Sequence, residues 1–138
     1  MTTETNTMSS DLKDIHFDTL EWKSSLQFIE GELLFINQLL QSYVFEPTTP
    51  NLFERLQQFR QGIENIEKEI SKLHQKIRKH ESELGGMLEC DTISCDHYYF
   101  DEHKELRNHF YNFYKNFRAL KSEVFQYAGG ILKKNKNN

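Results

Sequence analysis

Three long segments of this chain obey one rule: their apolar residues recur at alternating spacings of three and four. The first reads Leu12, Ile15, Thr19, Trp22, Leu26, Ile29, Leu33, Ile36, Leu40, Tyr43, with Thr19 in the single polar slot. The second reads Leu52, Leu56, Phe59, Ile63, Ile66, Ile70, Leu73, Ile77, His80, Leu84, and the third Tyr99, His103, Leu106, Phe110, Phe113, Phe117, Leu120, Val124, Tyr127. This alternation puts one stripe of side chains along one face of a helix, the seam of coiled-coil-like packing. A strand would need a period of two, so the fold class is all-α.

The punctuation between the seams sets helix number and direction. Ser10 and Asp11 are good first caps, and residues 1–10 carry little apolar content and are expected to be disordered. Glu46-Pro47-Thr48-Thr49-Pro50 interrupts the first seam, with Thr49 as a cap and Pro50 at the first helical position. Gly85-Gly86 and Gly129-Gly130 are natural stops, after the second of which Ile131 can fold back. Asp96 or Asp101 can cap the third helix. Helices are therefore predicted over residues 11–45, 50–85 and 98–129, within a domain spanning 11–132 and followed by a disordered basic tail, 133–138. Short connections make neighbours antiparallel, giving an up-down-up three-helix bundle with a cysteine-containing loop between the second and third helices.

Charge and hydropathy narrow the function classes. The net charge is −4, and the basic groups Lys76, Arg78, Lys79 and Lys133, Lys134, Lys136 are either interleaved with acids or confined to the tail. A nucleic-acid partner is not expected, because phosphate recognition needs a positive face. The longest apolar run, Leu33 to Ile36, is far short of a membrane span, and the N-terminus lacks a signal-peptide pattern, so the expected location is the cytoplasm. Both cysteines are then expected to stay reduced. No glycine-rich phosphate loop, nucleophile elbow or His-Glu-x-x-His motif is present, so the expectation is a non-enzymatic protein.

Two features remain after the seams are assigned. Leu20, Phe28, Leu34 and Phe35 lie off the first seam, which makes that helix apolar on more than one side. Phe28 and Phe35 lie too far round to be covered by the other two helices, so they point to a homodimer contact. The second feature is polar. His80 and His103 take seam positions, and up-down-up folding brings them to one level beside the loop, with His16 near that level on the first helix. His97, Cys90 and Cys95 belong to the loop, and Asp14, Asp18, Glu81, Asp91, Asp96, Asp101 and Glu102 accompany them.

Imidazoles and thiolates gathered from facing helices are how bundles hold zinc, copper, nickel or iron. One candidate shell is His16, His80 and His103 with Glu81 or Glu102; a second is Cys90, Cys95 and His97, with His103. Against this, Cys-x4-Cys is not a zinc spacing, the paired Glu-x-x-His of di-iron bundles is missing, and a polar layer can simply fix helix register. The leading expectation is a self-associating scaffold or interaction protein. The alternative is a transition-metal-binding bundle with its site at the loop end.

Overall fold

The computed structural model describes residues 2–42, 45, 50–90 and 92–137. It is a three-helix bundle of α1 (Thr2–Leu40), α2 (Leu52–Glu89) and α3 (Ile93–Asn137), with no strand among the described residues. At 1.5 Å per residue each helix is about 60 Å long. The seam positions are the buried ones. Leu26, Ile36, Leu73, Ile77 and Val124 are shut from solvent, and Phe59, Phe113 and Phe117 fill the space between helices. Cross-helix contacts give the directions. Lys23 meets Glu81 and Glu30 meets His74, so α1 and α2 are antiparallel. Phe59 meets Tyr127 and Glu69 meets His109, so α2 and α3 are antiparallel as well. α2 and α3 pack most intimately, helped by Gly62, where an added Cβ would come within 2.9 Å of a Leu120 methyl.

The helix ends differ from their sequence signals, each for an identifiable reason. α1 begins at Thr2, upstream of the expected cap at Ser10–Asp11, and no proline or glycine stands in that stretch to stop it. It ends at Leu40 rather than near 45. There Ser42 turns its hydroxyl back to the Leu39 carbonyl at 2.7 Å and satisfies a last-turn acceptor. Phe45 then closes the end of the core, stacked on Tyr127. α2 starts at Leu52, after Asn51, whose φ of 58° is the left-handed conformation that asparagine tolerates; Pro50 is therefore not its first residue. Tyr43, residues 46–49 with the expected Thr49 cap, and Asp91 lie outside the described residues.

The two glycine pairs do not stop their helices. A glycine stop requires a left-handed residue, and no glycine in the described residues has a positive φ. α2 instead gains a further turn that buries Met87 against Ile15 and Tyr99. α3 runs through Gly129-Gly130 to Asn137, and Ile131 continues the seam after Tyr127 rather than folding back. α3 also starts early, at Ile93. Thr92, not Asp96 or Asp101, offers its hydroxyl to the Cys95 amide at 3.4 Å.

The largest correction is at the loop. Cys90 and Cys95 are joined by a disulfide, with Cα atoms 6.3 Å apart, instead of standing as reduced thiols. The tight helix-to-helix turn brings the two residues face to face. Closing so short a loop is expected to stabilise the fold by about 2 kcal/mol. Purified protein should thus resist alkylation at both cysteines until it is reduced, and Cys90→Ser/Cys95→Ser should lower the urea-unfolding free energy by about that amount. Rapid alkylation of both cysteines without reductant would contradict the bond.

Candidate functional site

One layer interrupts the apolar core near the α2–α3 connection. The main core runs from Trp22, Ile77 and Leu106 away from that end, while Ile15, Met87 and Tyr99 form a separate small cluster beyond the layer. Between them lie Thr19, His80 and His103, all buried. The Thr19 hydroxyl donates to the Ile15 carbonyl of its own helix at 2.8 Å and takes no part in the rest of the layer.

The two histidines form a hydrogen-bonded line across three helices. His80 Nε2 is 3.0 Å from His103 Nδ1, and His103 Nε2 is 2.8 Å from Asp18 Oδ2. Arg107 donates to that same Asp18 oxygen at 3.1 Å. Burial pushes the pKa of His80 down to about 4 and also lowers that of His103, in the latter case against the pull of Asp18. Both rings are then neutral at pH 7, and their tautomers follow. Asp18 accepts, so His103 carries its proton on Nε2 and presents a bare Nδ1. His80 Nε2–H donates to it, which leaves His80 Nδ1 with a free lone pair. Tyr99 stacks on His80 with ring centroids 4.2 Å apart, and Trp22 stacks on His103 at 5.0 Å, so neither ring can turn freely.

The His80 ring has carboxyl groups beside it. His80 Nδ1 is buried with no hydrogen-bond partner among the described residues, and the buried Oε2 atoms of Glu83 and Glu102 have none beyond each other. One ligand-type atom from each of these three residues lies within 4.8 Å of the others. His80 and Glu83 share one face of α2 at i,i+3, and Glu102 comes from α3. Burial, then the hydrogen bond to Glu83 and its charge, pushes the pKa of Glu102 up to about 7. Lys79 approaches Glu83 Oε1 at 3.6 Å from the solvent side.

The residues singled out in the sequence fare unequally. His80 and His103 meet as expected. His16 is exposed, one position round the helix from the buried Ile15, and α1 contributes Asp18 to the layer instead. Glu81 points outward and pairs with Lys23 at 2.6 Å. His97 is exposed on an open groove of about 470 Å³ between α1 and α3, also lined by Asp14, Asp101 and Arg107. Bonded to each other, Cys90 and Cys95 cannot act as thiolates. Glu83 escaped notice, although its i,i+3 relation to a seam histidine was a usable signal. His74 and His109 occupy separate surface pairs with Glu30 and Glu69, at 2.9 and 2.8 Å.

The chain matches no protein-family model, no curated protein and no solved structure.

The buried groups give opposite pH dependences. His80 titrates near 4 when folded and 6.5 when unfolded, so the unfolded chain binds more protons between those values. Its contribution to stability is complete above about 6.5 and lost as pH falls toward 4; His103 acts in the same direction. Glu102 titrates near 7 when folded against 4.5, so its contribution is complete below 4.5 and lost as pH rises to about 7. In EDTA, Glu102→Gln should therefore make urea-unfolding free energy climb more steeply from pH 4.5 to 6.5 than in the wild type, and His80→Leu should flatten the climb. Parallel pH profiles for all three proteins would contradict these assignments.

Proposed function

We propose that this is a non-enzymatic interaction protein that pairs with a second copy of itself through the outer face of α1. The observation that carries this reading is the exposure of Phe28 (67%) and Phe35 (55%), one heptad apart on the flank of α1 that borders α3. Leu20 is also exposed, and Leu34 is exposed on the other flank of α1, beside Glu67 and Ile70 of α2. Gly31 lies between the two phenylalanines, and nothing stands within 4 Å of where its Cβ would be, so a second helix can approach closely.

Self-pairing is favoured over an unrelated partner by symmetry and charge. Two α1 helices crossing antiparallel about a point beside Gly31 put Phe28 of each copy against Phe35 of the other, the self-complementary arrangement of a two-fold interface. Glu30 and Glu32 flank that point and would repel their copies. Each already has a cationic or hydrogen-bonding neighbour within its own chain: His74 on Glu30 at 2.9 Å and Lys121 on Glu32 at 2.6 Å. Phe125 of α3, 6.2 Å from Phe35 by ring centroids, and Tyr114 widen the patch into a groove of about 310 Å³ that can receive an aromatic side chain.

Sedimentation at high micromolar concentration is expected to show a dimer, and Phe28→Glu/Phe35→Glu a folded monomer with unchanged helical circular dichroism. A wild-type chain that is already monomeric under those conditions would remove the basis for the proposal.

A further inference from the structure

We propose that His80, Glu83 and Glu102 bind one divalent first-row transition-metal ion between α2 and α3. This goes beyond the self-association reading and uses none of its residues. His80 is fully buried, and its Nδ1 has no hydrogen-bond partner. The Oε2 atoms of Glu83 and Glu102 are buried too, with no hydrogen-bond partner beyond the pair itself. Ligand atoms of the three residues lie within 4.8 Å of one another. Around an ion with bonds near 2.1 Å they would stand roughly 3.4 Å apart, a difference that rotation of two glutamate side chains closes.

A layer that served only to fix register accounts for the line from His80 through His103 to Asp18. It does not account for what that line leaves over, a bare, buried imidazole nitrogen on a ring that lies close to two carboxyl groups. Buried polar groups are normally satisfied, and the hydrogen bond between Glu102 and Glu83 leaves the buried His80 Nδ1 without a partner, a lone pair that a cation can take. The line also has the form of the support behind a metal-bound histidine, whose other ring nitrogen donates to a carboxylate or carbonyl. Here His103 relays that support to Asp18, so each of the three helices contributes. It holds the His80 ring in the tautomer that exposes Nδ1, the form a metal requires.

Charge and access agree with this assignment. Two carboxylates and a dication sum to zero, a balance that suits a low-dielectric setting. Lys79 acts on the cluster only from its solvent side, 3.6 Å from Glu83 Oε1 with its side chain 68% exposed. Glu83 retains 29% side-chain exposure, which leaves an entry path from solvent. One imidazole and two carboxylates suit Zn²⁺, Co²⁺, Fe²⁺ or Mn²⁺, and disfavour Mg²⁺ and Ca²⁺, which take oxygen ligands.

The test uses the full chain without a histidine tag, stripped with EDTA and titrated calorimetrically with Zn²⁺, then with Mn²⁺ and Mg²⁺. One Zn²⁺ per chain is expected, bound more tightly than Mn²⁺, with no Mg²⁺ binding. Glu83→Gln and Glu102→Gln preserve shape and should each weaken Zn²⁺ binding by about 100-fold or more, and Asp18→Asn by about 10-fold to 100-fold. His16→Ala and His97→Ala should leave it unchanged. Bound Co²⁺ should show ligand-field bands without thiolate charge transfer. If His80→Leu fails to fold, the two glutamine variants carry the test. Absence of saturable Zn²⁺ binding, binding indifferent to both glutamine variants, or a thiolate band would overturn the proposal.

Discussion

One hydrogen-bonded line, His80 to His103 to Asp18, ties α2 to α3 to α1, and much of the loop end is arranged around it. Two imidazoles in a seam of leucine and isoleucine are costly unless their polar atoms are paired. Pairing works in only one register: a shift of one turn in any helix would face a histidine with an apolar side chain. The layer thus fixes alignment where leucines and isoleucines alone would be tolerant. It also divides the interior into a long apolar core and a small cap of Ile15, Met87 and Tyr99, which the Cys90–Cys95 bond closes from outside.

The same line determines what is left over. Because Asp18 can only accept, protons are ordered along the line toward α1, and the unprotonated end emerges at His80 Nδ1. Glu83 and Glu102 lie beside the His80 ring, with Lys79 at Glu83 Oε1 on the solvent side, and burial, then the hydrogen bond to Glu83 and its charge, raises Glu102. By contrast, the outer face of α1 owes nothing to the layer. Its stripe of Phe28 and Phe35 is exposed and turned about 100° round the helix from the buried Ile29 and Ile36, so the two features can be altered independently.

The bundle and the meeting of His80 with His103 were legible in the sequence because both follow from periodicity and chain direction alone. Helix ends were not. A glycine pair reads as a stop only if it adopts a left-handed turn, and burial of Met87 and Ile131 carried the helices past Gly85-Gly86 and Gly129-Gly130 instead. The disulfide was hidden because its formation depends on how tightly the α2–α3 turn closes, which spacing does not encode. Level counting brought α1 close to the layer but not to the right residue: His16 and Asp18 are neighbours in sequence, and only the rotation of the helix about Ile15 and Thr19 selects Asp18. Glu83 was missed because it flanks the seam, where most glutamates are solvated.

The central claim is that the layer is neutral and directional, and nitrogen-detected NMR of ¹⁵N-histidine-labelled protein tests it most directly. At pH 7 in EDTA, His80 and His103 should both appear as neutral rings protonated on Nε2, with the Nδ1 of His80 carrying no proton. An imidazolium at either position, or a proton on His80 Nδ1, would contradict the account.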